Sequence, residues 1–340
     1  MKHVSILIPQ GHFSVINIEA THQILNWVNL YCQQVGREPV FHVQLVGTEK
    51  ATTQSTGLFT VHPDAMMKDI EKTGVVFIPA IFGDAIHNKK INEDAADWVL
   101  KQYNKGADIA SMCYGSFFLA SIGLLNGRAC STHWEGADRF QHQFPAAELV
   151  DERIVVEANG VYTSGGAFSF TNLIIYLIEK YAGKELAVAA SKAFMIDYDR
   201  SNQSQFRIFV GQKEHEDEQI LKAQQYIEEH FKERIAVQEL CEQLGVGRRS
   251  FERRFKYATS NTVVEYIQRV KIEAAKKGLE TGRKTVNEVM YDVGYSDTKA
   301  FRNIFKKHTG ITPVAYRNKY NREIAYPSEE MTSKERAYYA

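Results

Sequence analysis

"ASMCYGSFFLAS", residues 110–121, is a short apolar approach, one cysteine at position 113, a glycine two residues on, and then a helical run. The approach begins at "DIASM" (108–112), apolar and too short for a helix, so the stretch reads as a strand turning sharply into a helix. The chain around it repeats that unit. "VSILIP" (4–9), "FHVQLVG" (41–47) and "GVVFIPAI" (74–81) are near-continuous apolar runs of the kind buried on both faces, and amphipathic stretches at 17–35 and 91–104 lie between them. Strand alternating with helix implies right-handed crossovers and an α/β fold, a mainly parallel sheet with helices on both faces. "RIVVEANGVYTSGG" adds a hairpin turning at Asn159-Gly160, and helices at about 168–182 and 184–196 close a first domain at 1–197.

The stretch "DYDRSNQSQFRIFVGQKEHEDEQ" is polar and without sustained period, which places a linker at 198–216. From 217 to 320 the pattern is purely helical, and 321–340 reads as a loosely ordered tail. A length of 340 residues suits two domains that each bury a core. No run approaches the roughly 18–20 apolar residues of a membrane span, so the expectation is a cytoplasmic protein without membrane contact. The four cysteines, Cys32, Cys113, Cys130 and Cys241, are scattered and lack CxxC spacing. That suits a reducing compartment, and neither a metal nor a cofactor is expected.

The net charge of zero conceals an asymmetry: from Val246 to Tyr320 there are 17 Lys and Arg against 7 Asp and Glu, a surplus of ten positive charges that the rest of the chain balances. Such a segment reads as a module that binds a polyanion; the plainer alternative is a solvated basic face. Its pattern favours the former. In "IAVQELCEQLGVGRRSFERRFKYAT" (235–259), Val237, Leu240, Cys241 and Leu244 form one apolar helical face, Gly245-Val246-Gly247 forms a turn, and Phe251 and Phe255 are the inner pair of a second helix. Arg248, Arg249, Glu252, Arg253 and Lys256 are then left outside. This is the helix-turn-helix layout, whose second helix enters the major groove of DNA. The layout recurs in "TVNEVMYDVGYSDTKAFRNIFKKHTG" (285–310): Val286, Val289, Met290 and Val293, a turn at Gly294, Ser296 or Asp297 as cap, and Phe301 with Phe305 inside. Thr298, Lys299, Arg302, Asn303 and Lys306 face out. Residues 263–282 between the two units read as one long helix. If that helix spaces the readers by one turn of DNA, roughly 34 Å, one chain can read two successive major grooves.

The segment 219–320 resembles the AraC/XylS-type transcriptional regulators, and "DVGYSDTKAFRNIFKKHTGITPVAYR" (292–317) carries the likeness most closely. The first unit departs from the family at "TSNTVVEY", where a glycine and a proline are usual, which leaves open the turn after its second helix. Residues 4–182 resemble the PfpI-like branch of the class I glutamine amidotransferase-like superfamily, chiefly through "IASMCYGSFFLASIGLLNGRACSTHW" (109–134), which implies a flavodoxin-like sheet. There the Cys113 elbow offers a nucleophile, the Tyr114 N–H an oxyanion donor, and the start of the helix a dipole that should lower the thiol pKa. The plainer reading is a buried, inert cysteine. His133 falls where the family places a histidine near the cysteine, and Glu135 could orient it, although a solvated Glu is the better reading of that position. Two features of enzymes in this superfamily are missing: the acidic residue after the first strand is replaced by Val15 or Ile16, and the Gly-Gly turn after the third by "PAIFGD" (79–84).

Fusion of these two domains resembles the GlxA-type regulators, which implies a sensor that has turned an old active-site cleft into a ligand pocket. The expected pocket comprises Gly11, His12, Phe82, Cys113, Tyr114 and His133, with Cys113 and His133 as vestiges of catalysis. The expected DNA contacts are Arg248, Arg249, Arg253, Lys256, Thr298, Lys299, Arg302, Asn303 and Lys306. The partners implied are double-stranded DNA, a small-molecule effector of unknown identity and a second copy of the chain, with room for RNA polymerase. One rival is a Cys-dependent amidohydrolase or deglycase with an appended DNA-binding module. The other is an architectural binder whose first domain has lost its ligand, its cleft filled by Phe82 and Tyr114.

Overall fold

A computed structural model describes residues 1–321. The tail expected at 321–340 lies outside the described residues but for its first. The chain divides into two compact units, Met1–Arg207 and Ile208 onward.

In the first unit β1 (Lys2–Ile8) leads to α1 (Val15–Gln34), whose N-cap Ser14 accepts from Asn17 N–H, and then to β2 (Phe41–Gly47). Three two-residue strands follow, β3 (Thr52–Thr53), β4 (Thr60–Val61) and β5 (Ala65–Met66). The chain returns as β6 (Val75–Ile78), α2 (Ala85–Ile91), α3 (Glu93–Asn104), β7 (Asp108–Ser111) and α4 (Gly115–Ser121). After β8 (Ala129–Cys130), α5 (Ala137–Gln143) and β9 (Glu148–Leu149), the hairpin β10 (Val155–Ala158) and β11 (Val161–Ser164) precedes α6 (Phe170–Ala182) and α7 (Lys184–Ala193). The main sheet runs β10-β11-β7-β6-β1-β2-β5, and every neighbouring pair is parallel except the hairpin.

Two cores explain why the strands read as unbroken apolar runs. Val75 and Phe77 of β6 face a core built with α1, α6 and α7, while Val76 and Ile78 face another with Val99, Phe118 and Phe140 on the opposite side. Both faces are buried, so no polar alternation survives. Asn159 (φ 52°) and Gly160 (φ 76°) are both left-handed, the conformation that a two-residue hairpin turn of type I′ requires. Strand order reverses between β1 and β6, which opens a crevice at their carboxyl ends.

The segment 198–216, expected to be a linker, divides between the two units. Residues 201–207 bind the first: Ile154 N–H donates to Ser201 O, Gln203 is 2% exposed, and Arg207 pairs with Asp151. Residues 209–215 bind the second, where Phe209 N–H donates to Glu273, Lys213 pairs with Glu228, and His215 meets Gln224. Little of the stretch is left spare.

The second unit contains α8 (Glu218–His230), α9 (Val237–Gln243), α10 (Arg248–Thr259), α11 (Val263–Thr281), α12 (Val286–Asp292), α13 (Thr298–Thr309) and α14 (Pro313–Tyr320). It is a duplication. Phe251, Phe255 and Tyr266 form one aromatic core, with the Tyr266 hydroxyl donating to Glu228, and Phe301, Phe305 and Tyr316 form the other, with the Tyr316 hydroxyl donating to Glu280. Thr259 donates to Phe255 O and Asn261 O, as Thr309 does to Phe305 O and Ile311 O. The turn that the sequence left open is thereby resolved: Ser260 (φ 57°) stands in the left-handed position that Gly310 (φ 76°) takes in the second unit, and Val263 in that of Pro313.

Candidate functional site

Cys113 holds a left-handed backbone, φ 54°, between β7 and α4, the conformation of a strained elbow. Gly115 permits it, because a Cβ there would stand 2.7 Å from Pro79 O at the end of β6. The elbow is braced from below: Ser116 donates to Cys113 O and to Thr132 Oγ1, at 3.0 and 2.7 Å.

Cys113, Tyr114, His133 and Phe82 line one cavity of about 270 Å³, together with Ser14, Ile16, Asn17, Ala80, Glu135, Ala167, Phe168 and Phe170. It lies at the carboxyl ends of β1, β6 and β7, at the crevice where strand order reverses. Two expected members stand elsewhere: His12 packs tilted against Phe82, ring centroids 4.9 Å apart, and Gly11 O accepts from Ser55 N–H, and neither lines the cavity. Sequence reasoning missed the wall from Ala167 to Phe170, which carries no motif of its own. Ile16 occupies the mouth, on the turn of α1 where the resemblance leads one to look for an acid.

The expectation of a lowered thiol pKa is corrected. Burial pushes Cys113 up to about 11, and it outweighs the N–H groups of Tyr114 and Ala167 that bond the sulfur and pull the other way. His133 is held below the usual histidine range by burial, partly offset by Glu135. Its Nδ1 accepts from the backbone N–H of Glu135 at 3.1 Å, while the Glu135 carboxylate stays 4.0 Å away. The amide rather than the acid therefore orients the ring, which stacks on Tyr114 with centroids 5.4 Å apart and planes at 4°. No hydrogen bond joins His133 to Cys113 among the described residues. The cleft thus offers rings, a neutral thiol and one carboxylate at its rim.

Gln203, from the stretch read as linker, grips this wall from behind. Its Nε2 donates to Thr132 O and Asp151 O at 2.9 and 2.8 Å, and its Oε1 accepts from Gly166 N–H at 3.1 Å. Thr132 and Gly166 immediately precede the pocket residues His133 and Ala167. Nothing in the local pattern announces that role.

In the second unit, Arg248, Arg249, Arg253 and Lys256 on α10 are all exposed, as are Thr298, Lys299, Arg302, Asn303 and Lys306 on α13. The order of buried and exposed positions is identical along residues 251–260 and 301–310. Not every cation on α10 is free: Arg254 turns back to make a two-pronged bond with Asp217, whose carboxyl it holds below the usual range, and Arg248 pairs with Glu252 at 3.0 Å. α13 itself carries no acid, and Asp297 just before it caps the helix by accepting from Ala300 N–H. Among the described residues no cluster of His, Cys, Asp and Glu could hold a metal ion, and no helix is long and apolar enough to cross a membrane.

Residues 24–180 match the DJ-1/PfpI family, and residues 240–319 match a helix-turn-helix domain. Among curated proteins, the HTH-type transcriptional regulator CdhR of Pseudomonas aeruginosa is 24% identical over 75% of this chain and 75% of its own length. The HTH-type transcriptional regulator GbdR of the same species is 24% identical over 89% of this chain and 80% of its own. The crystal structure of an AraC family transcriptional regulator from Pseudomonas putida is 13% identical, covers 57% of this chain and 100% of its own, and superposes with a TM-score of 0.48.

Proposed function

We propose that the Cys113 cleft is the effector pocket of this chain, a DNA-binding transcriptional regulator that joins a DJ-1/PfpI domain to an AraC-type helix-turn-helix domain. The observation that carries this reading is the cavity itself: Phe82 and Tyr114 line it and leave about 270 Å³ open, room for a compact molecule between aromatic walls and the Glu135 carboxylate. Gln203 supports the passage of a signal, since it holds the back of the pocket from a segment that continues directly into the second unit. The regulator acts in the cytoplasm, as a homodimer through its first domain and alongside RNA polymerase. A metabolite panel tests the pocket: a binder should raise the melting temperature and change affinity for the selected DNA site, and both effects should shrink in Phe168→Ala. A panel without hits favours the architectural binder.

The strained elbow, with two N–H groups at the sulfur, favours a second reading, a Cys-dependent amidohydrolase or deglycase. Against it stand the protonated thiol and a histidine with no bond to it. Turnover of dicarbonyl or amide substrates that is lost in Cys113→Ser would make the chain an enzyme.

A further inference from the structure

The two helix-turn-helix units share α11. Tyr266 in its first half belongs to one core, and Ile272, Ala275 and Leu279 in its second half to the other. A stiff helix fixes the separation of the units along its axis at about 1.5 Å per residue. It does not by itself fix how either unit is rolled about that axis, which takes a contact away from the axis.

The loop that follows α8 supplies such a contact. Phe231 leaves the first unit and packs in the core of the second. Lys232 O comes so close to the second unit's turn that a Cβ on Gly294 would stand 2.1 Å from it. Between them, on α11, Lys271 is 8% exposed, and its Nζ donates to Glu233 O at 3.3 Å and Gly294 O at 3.4 Å, with the Tyr295 ring 5.4 Å away. One carbonyl belongs to the loop entering the first helix-turn-helix, the other to the turn of the second. No carboxylate pairs with Lys271 among the described residues, and burial holds its ammonium below the usual lysine range.

A buried ammonium with only carbonyl partners is a poor way to gain stability, because an apolar side chain of similar length is often as good or better. What the ammonium adds is direction: it bonds two fixed acceptors, whereas a methyl group slides. We propose that Lys271 is a positioning residue that sets the angle between α10 and α13, and so the spacing of the two DNA segments the chain reads. The inference rests on the DNA-reading function already reached. The duplication also provides a control. Gly245 (φ 64°) matches Gly294 (φ 76°) in backbone, yet nothing lies within 4 Å of a Cβ placed on Gly245. Alanine strains the backbone at either site, but only Gly294→Ala pushes against the loop.

The test selects binding sites from a pool of random-sequence duplexes with the full chain and its variants, alongside thermal melts. The wild type should recover two sequence blocks at one fixed spacing. Lys271→Met should fold, recover the same blocks at scattered spacings, and bind the wild-type spacing roughly tenfold more weakly. Lys271→Arg should restore the fixed spacing, Gly294→Ala should scatter it, and Gly245→Ala should leave it fixed despite a comparable loss in melting temperature. A single unchanged spacing in Lys271→Met overturns the proposal, as does equal scatter in the two alanine variants. Recovery of no sequence by the wild type contradicts the DNA-reading function itself, and the positioning role falls with it.

Discussion

Cys113 shows two opposing influences on one atom. Backbone N–H groups favour its thiolate, burial favours its thiol, and burial wins by enough to place the pKa at about 11. The thiol is thus protonated at neutral pH, and alkylation at Cys113 by iodoacetamide, followed by mass spectrometry, should climb with pH by about tenfold per unit through pH 9. A rate that levels off below about pH 8 would show an activated thiolate and revive the enzyme reading. Because the folded pKa lies above the ordinary 9.0, the stability this group contributes is complete below pH 9 and fades as pH rises toward 11. Gln203→Leu should strand Gly166 N–H and the carbonyls it serves, lowering the first unit's stability by about 1–3 kcal/mol in urea unfolding; a change near zero would show that water replaces it. The elbow was legible from the residues themselves, since small flanks and a helical run leave few alternatives. The pocket was legible only in part. Phe82, Cys113, Tyr114 and His133 sit on elements with a pattern, whereas Ala167, Phe168 and Gln203 reach it through loops and a strap whose placement depends on contacts distant in sequence. On the DNA face, Arg253→Ala and Arg302→Ala should each weaken specific binding by about 1–3 kcal/mol where the residue reads a base. Equal weakening on selected and random duplex would mark it as a phosphate contact.

At the scale of elements, long periodic segments were readable and short ones were not. The helices at 17–35 and 263–282 and the strand at 41–47 appear within two residues of their expected ends, because each holds four or more apolar residues in a regular pattern. β3, β4, β5, β8 and β9 hold two residues apiece, too few for any periodicity to announce. Polarity marks 198–216 as a linker, but polar side chains such as Gln203, Arg207 and Lys213 bond to the units, so composition points to solvent where the structure has partners. Duplication supplies the strongest signal in the chain, and one place where the copies differ in backbone chemistry is testable. Ser260 pays for a left-handed φ of 57° that Gly310 adopts freely. Ser260→Gly should therefore stabilise the second unit by up to about 1 kcal/mol in thermal unfolding, and a loss of stability would mean that the Ser side chain contributes more than the strain costs.

At the scale of the molecule, the ten surplus positive charges between Val246 and Tyr320 gather where α10 and α13 leave their cations exposed. Phosphate contacts should supply much of the affinity, so log K should fall with log salt by about 0.9 per phosphate neutralised. Sequence choice must come instead from the few side chains that reach base edges. On this reading one chain presents two recognition helices, α10 and α13, to two successive major grooves. Hydroxyl-radical and methylation footprinting of the full chain on a selected site tests it most directly. Two protected major-groove segments per chain are expected on one face of the duplex, separated by one helical turn of roughly 34 Å, with Arg302→Ala erasing one and Arg253→Ala the other. A single protected segment that both substitutions weaken alike, or protection without sequence preference, would contradict it.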